Sequence, residues 1–169
     1  MERTPSKRSG VRGVLLTVAL GLGIQGCVTT PPLEPDEGKL ALIECPPLPN
    51  CVSTQAEEGS MHAIPAFTLA EPLDEAWPGI REAVAELPNT TIVKEDPSRH
   101  YFYAKAYSDL LGFVDYFEGL AKPQPVPESG AERLAVRSAA MLGISDMGVN
   151  RARTERFREA LRAEGIIAP

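Results

Sequence analysis

The sequence predicts an α+β fold: an antiparallel meander sheet of about four strands with two helices packed on one face, preceded by a signal peptide and a Pro-rich tether. Three observations lead there. Four strand-like stretches follow one another between residues 90 and 139, separated by turns and one Pro-rich hairpin excursion. Two stretches with helical spacing flank them, at 73–87 and at about 148–164. Strands in immediate succession between two helices favour a meander over a parallel sheet, which would need a helix at every crossover.

The chain of 169 residues, 43% hydrophobic and 24% charged, has the composition of one globular domain with extra segments. Its first dozen residues carry Arg3, Lys7, Arg8 and Arg12 against Glu2. An apolar run at 14–24 follows. It is too short to cross a bilayer, which takes about 20 residues, and has the make-up of a secretory signal peptide. The run ends in Ile24-Gln25-Gly26-Cys27, which resembles a bacterial lipobox, although Gln25 is a less usual choice. The resemblance implies removal of residues 1–26 and acylation of Cys27, with Val28 after the anchor favouring the outer membrane, facing the periplasm. Several acyl chains, each contributing about 0.8 kcal/mol per buried CH₂, would hold the chain on that membrane. The remaining chain has 13 basic and 22 acidic residues, a net charge of −9. That acidity, outside the cytoplasm, excludes nucleic acid as a partner.

Residues 27–44 form the anchor and tether, with Pro31, Pro32 and Pro35 favouring extended chain. The domain is expected over 45–165. It begins with CPPLPNCVSTQA, where Cys45 and Cys51 are the only thiols besides Cys27. An exported chain permits a bridge between them; free structural thiols are the alternative. Metal binding is not expected, because zinc sites use closer cysteine pairs with further ligands, and only His62 and His100 are at hand.

Residues 62–69 read as a short extended piece that Pro65 confines to an edge. Leu73, Trp77, Ile80, Val84 and Leu87 then recur at helical spacing, with Asp74 as a cap, Pro78 expected in the first turn and Pro88 as the stop. Trp77 at this spacing is a core residue. Strands are expected at 90–95, 101–107, 113–120 and 131–139, with turns at 96–99 and 108–112 and a Pro-rich excursion at 122–130. In the second, Tyr101, Tyr103, Lys105 and Tyr107 alternate with Phe102, Ala104 and Ala106. In the last, Leu134 and Val136 share one face, and Arg133, Ala135 and Arg137 the other. His100, after its turn, is expected at the surface. The final helix should bury Ala152, Phe157, Ala160 and Leu161 and end at Gly165, with Glu155–Arg158 and Glu159–Arg162 as solvent-side pairs.

Four segments in order, CPPLPNCVSTQA, Leu111-Gly112-Phe113-Val114-Asp115, Val136-Arg137-Ser138-Ala139 and Gly143-Ile144-Ser145-Asp146-Met147-Gly148-Val149-Asn150-Arg151, resemble the bacterial family called domain of unknown function 1499. The resemblance covers about 45–161 and implies no activity. Two positions depart from the family pattern: Tyr116 stands where a second acid is common, and Ala140-Met141 where an arginine is common. Both departures weaken an enzymatic reading.

The densest set of polar groups lies at 136–153, where the last strand turns into the last helix. Arg137, Ser138, Ser145, Asp146, Asn150 and Arg151, with Asp115 from the preceding strand, form the candidate ligand site. A helix N-terminus there would suit a phosphate, carboxylate or headgroup. The competing reading pairs Arg137 with Asp115 and uses Asp146 as a helix cap, a purely structural arrangement. No Gly-x-Ser-x-Gly elbow or phosphate-binding glycine loop occurs. The expectation is a membrane-tethered, non-catalytic binding or structural module of the cell envelope, with no cofactor. Its partners would be the membrane, through the N-terminal lipid, and an envelope protein or a small anionic or lipid ligand. The alternatives are a hydrolase-like enzyme using Asp115, Arg137, Ser138 and Asn150, and a lipid-binding protein.

Overall fold

The computed structural model describes residues 41–108, 112–121 and 130–169. The expected signal peptide, Cys27, the tether up to residue 40 and the Pro-rich excursion at 122–129 lie outside the described residues. In chain order the elements are β1 (Cys51–Ser53), β2 (Phe67–Thr68), α1 (Leu73–Ala85), β3 (Thr90–Asp96), β4 (Tyr101–Tyr107), β5 (Val114–Ala121), β6 (Arg133–Ala140) and α2 (Val149–Ala163). One antiparallel sheet runs β1-β6-β5-β4-β3, and β2 also pairs with β6. The four expected strands are β3 to β6. The two additional strands, of three and two residues, are too short to carry an alternation of their own.

Alternation along β4, β5 and β6 gives the sheet two unlike faces. One presents Phe102, Ala104, Phe117, Ala121, Leu134 and Val136 to Leu73, Trp77, Ile80 and Val84 of α1 and to Phe157 and Leu161 of α2, forming the main core. Phe117 meets Phe157 edge to face, with centroids 5.4 Å apart. The other face carries a smaller apolar cluster in which Leu42 packs with Tyr101, Leu120 and Ala135. A Cys45–Cys51 disulfide, with Cα atoms 5.6 Å apart, ties the segment that begins at Leu42 to β1. The Leu42 N–H also donates to Gln55 Oε1 at 2.8 Å.

Three details of the helices differ from expectation. Asp74 does not cap α1; the cap position is Pro72, two residues earlier, and Glu132 Oε2 accepts the Leu73 N–H at 2.7 Å. Asp74 instead lies 3.2 Å from His100 Nε2, and the His100 ring stands edge-on to Trp77 rather than out in solvent. Pro78 occupies the second turn, not the first. It is tolerated because Pro78, and Asp74 whose carbonyl loses its usual partner, both lie on the exposed side. Ala152 is exposed, since the buried stripe of α2 runs Asn150, Arg153, Thr154, Phe157, Arg158 and Leu161. The end of α2 is as the glycine signals: Gly165 has φ 74°, its N–H bonds Arg162 O, and the Ile166 N–H bonds Leu161 O.

Candidate functional site

The strand register decides what the polar residues can do. Asp115 lies opposite Ala140, whereas Glu118 lies opposite Arg137. Asp115 and Ser138 therefore point to the helical face, and Arg137 and Glu118 to the other. The site expected from sequence is split by the sheet into two clusters.

On the helical face α2 supplies the partners. Arg153 Nη2 donates to Asp115 Oδ2 at 2.7 Å, and its Nη1 to Ser138 Oγ at 3.0 Å and Asn150 Oδ1 at 2.6 Å. Ser138 Oγ donates to Asn150 Oδ1 at 2.6 Å, and Asn150 Nδ2 to the Asn50 carbonyl at 3.2 Å. Thr154 Oγ1 closes onto the Asn150 carbonyl. All of these side chains are buried. Burial pushes the Asp115 carboxyl above its ordinary range, and Arg153 opposes that shift.

On the other face Arg137 Nη1 donates to Glu118 Oε1 at 2.9 Å, and neither residue has any exposed surface. The Tyr101 hydroxyl donates to Glu118 Oε2 at 3.3 Å. Burial raises the Glu118 carboxyl against the pull of Arg137. Burial raises the Tyr101 phenol too, reinforced by the Glu118 charge. Arg137 Nε and Nη2 find no partner among the described residues. The expected Arg137–Asp115 pair does not form: the two residues sit on opposite faces, and each takes a partner on its own.

The remaining expected site residues divide similarly. Asp146 Oδ2 accepts the Asn150 N–H at 2.8 Å and its Oδ1 the Gly148 N–H, so it serves the start of α2 from two residues ahead of the cap position, Gly148. Ser145 Oγ accepts the Met147 N–H in an exposed turn, outside either cluster. Arg151 reaches away, donating to the Ala63 and Met61 carbonyls. Arg158 acts in parallel, clamping the Pro65 and Ala66 carbonyls and lying 3.9 Å over the Phe67 ring. It is buried while bonding Glu155, so the pair expected on the solvent side sits at the interface. Reading the sequence missed Glu118, Tyr101, Arg153 and Asn50. Arg153 had a signal, since it lies three residues after Asn150 on the same helix face.

These arrangements define a class: an α+β domain whose polar interior consists of sealed ion-pair and amide networks. No group of three or more His, Cys, Asp or Glu side chains that could hold a metal occurs among the described residues. The family model described as protein of unknown function (DUF1499) matches residues 41–161, and the chain belongs to that family. No curated protein matches it.

Proposed function

We propose that this chain is a membrane-tethered, non-catalytic module of the cell envelope, and that its buried polar centre is a structural lock. The observation that carries the reading is the closed Asp115–Arg153–Asn150–Ser138 network. Ser138 Oγ, the one nucleophile of the alternative reading, is held by Asn150 Oδ1 and Arg153 Nη1 rather than by a base. No histidine touches it, and its donor is engaged with an amide oxygen, so general-base activation has no route. The Arg-rich α2, which in sequence resembles an anion site, uses Arg151, Arg153 and Arg158 on internal acceptors. The lipobox-like Ile24-Gln25-Gly26-Cys27 after a short apolar run supports the tether, and Val28 after the anchor favours the outer membrane, facing the periplasm.

Fractionation tests the tether. Wild-type chain should sediment with membranes and take up a labelled fatty acid, and Cys27→Ser should do neither. A Cys27→Ser chain that stays in the membrane fraction with its label overturns the reading. For the non-catalytic part, hydrolysis of an acyl or phosphate ester that Ser138→Ala abolishes without shifting Tm would establish the enzyme instead.

A further inference from the structure

Among the described residues eight large apolar side chains are exposed, and six of them, all but Val93 and Met61, collect at one end of the sheet. The register shows how. Tyr107, 44% exposed, ends β4 opposite Val114, the neighbour of Phe113, which is 58% exposed. The Met141 N–H bonds the Val114 carbonyl, which brings Leu142 alongside. The chain then passes through Ile144 (65%) and Met147 (96%) to Val149, which opens α2 and shares a groove of about 220 Å³ with Tyr107.

A contiguous apolar rim exposed on one end of a domain marks a docking surface. We infer that this rim, centred on Ile144 and Met147, seats the domain on a lipid bilayer surface. The choice of lipid over protein rests on the tethered reading above. Residues 28–40 lie between the expected anchor and the first described residue, and 13 residues span at most about 45 Å. Leu42 enters at the far end of the sheet, beside Tyr101 and Leu120. An eight-residue strand such as β6 covers roughly 27 Å, less than the tether's reach, so the rim can turn down onto the bilayer that holds the anchor. Tethering keeps the local lipid concentration high, so even a weak apolar contact is populated. Charge agrees with this orientation. The chain that remains after residue 26 carries −9, yet Arg156 lines the rim groove and brings a cation to the side that would meet anionic headgroups.

The test uses full-length chain with vesicles of phosphatidylethanolamine and phosphatidylglycerol carrying brominated acyl chains, which quench tryptophan on contact. The single native tryptophan, Trp77, is buried in the core and supplies the background. Met147→Trp should lose more than half of its added emission in brominated vesicles. Val93→Trp, on the edge strand β3, should lose none of its own. Adding Ile144→Glu to Met147→Trp should abolish the quenching with no change in Tm, because Ile144 is exposed. An unquenched Met147→Trp on chain that floats with the vesicles overturns the rim as a lipid contact. A blue shift of that tryptophan only at rising protein concentration, without lipid, makes the rim an interface between copies and also overturns it. Fatty-acid labelling of Cys27 is read separately, so loss of the anchor and loss of the rim contact are told apart.

Discussion

Arg137 and Glu118 stand directly across from each other on β6 and β5, both wholly buried, joined by a single 2.9 Å bond on the face away from the helices. A charge pair out of water is stable only while both members remain. Arg137→Met and Glu118→Leu should each cost about 3–5 kcal/mol, because each leaves the other charge buried alone. The double substitution should cost less than either single one. Urea unfolding of the four proteins measures this, and additive losses would show that the pair is not coupled.

Titration of the same face gives a second expectation. The phenol of Tyr101 is raised from its ordinary 10.0 by burial and by Glu118. Above pH 10 the unfolded chain ionises this group while the folded chain keeps its proton, so the folded state holds more protons and stability falls as pH rises. Glu118 and Asp115 follow the same sign at lower pH. Both are raised by burial, so their contribution is full below the ordinary 4.5 and 3.8 and declines as pH climbs through the folded values. Tyr101→Phe should flatten the alkaline limb of a Tm-against-pH curve, and, because it removes the bond that lowers the Glu118 carboxyl, should also shift the acid side toward higher pH. An alkaline limb as steep as that of wild type would assign the loss to other groups.

Gly119 provides a packing test. It lies on the helical face opposite Val136, and a Cβ built there would fall inside the Phe102 ring. That ring packs against Trp77, Phe117 and Phe157 and has little room to yield. Gly119→Ala should therefore destabilise by about 1–3 kcal/mol despite adding only a methyl group. Denaturant melts give the value. A neutral result would mean that the aromatic cluster repacks freely.

How much of this was legible in the sequence follows from period and distance. The strands β3 to β6, both helices and the stop at Gly165 show in local patterns, because alternation, helical spacing and a left-handed glycine are properties of a few neighbours. The polar centre is a long-range object. Arg137 and Ser138 are adjacent in sequence, and period two alone places them on opposite faces, so a common site was never open to them. Which acid each face offered depended on the β5–β6 register, and no residue type within VDYFEGLA announces that Glu118 is buried. Arg153 was recoverable from its spacing to Asn150. The exposed side of Ala152 was not, because arginine in the buried stripe reverses the usual polarity rule for a helix.

The disulfide gives the last expectation. Cys51 lies opposite Ala139, which puts its side chain on the same face as Arg137, and its bond to Cys45 holds the preceding segment across that face. Closing a seven-residue ring stabilises by roughly 2 kcal/mol through the unfolded state, less here because Pro46, Pro47 and Pro49 already stiffen the loop. Reduction with a dithiol, or Cys51→Ala, should lower stability by about 1–2 kcal/mol for that reason. The local effect should be larger than the global one. Amide exchange ought to quicken at Leu42, whose N–H is held by Gln55, and across β1, while the amides of α2 beyond Phe157 stay protected. Uniform acceleration in both regions would mean that the bridge holds the whole fold rather than the segment lying over Arg137.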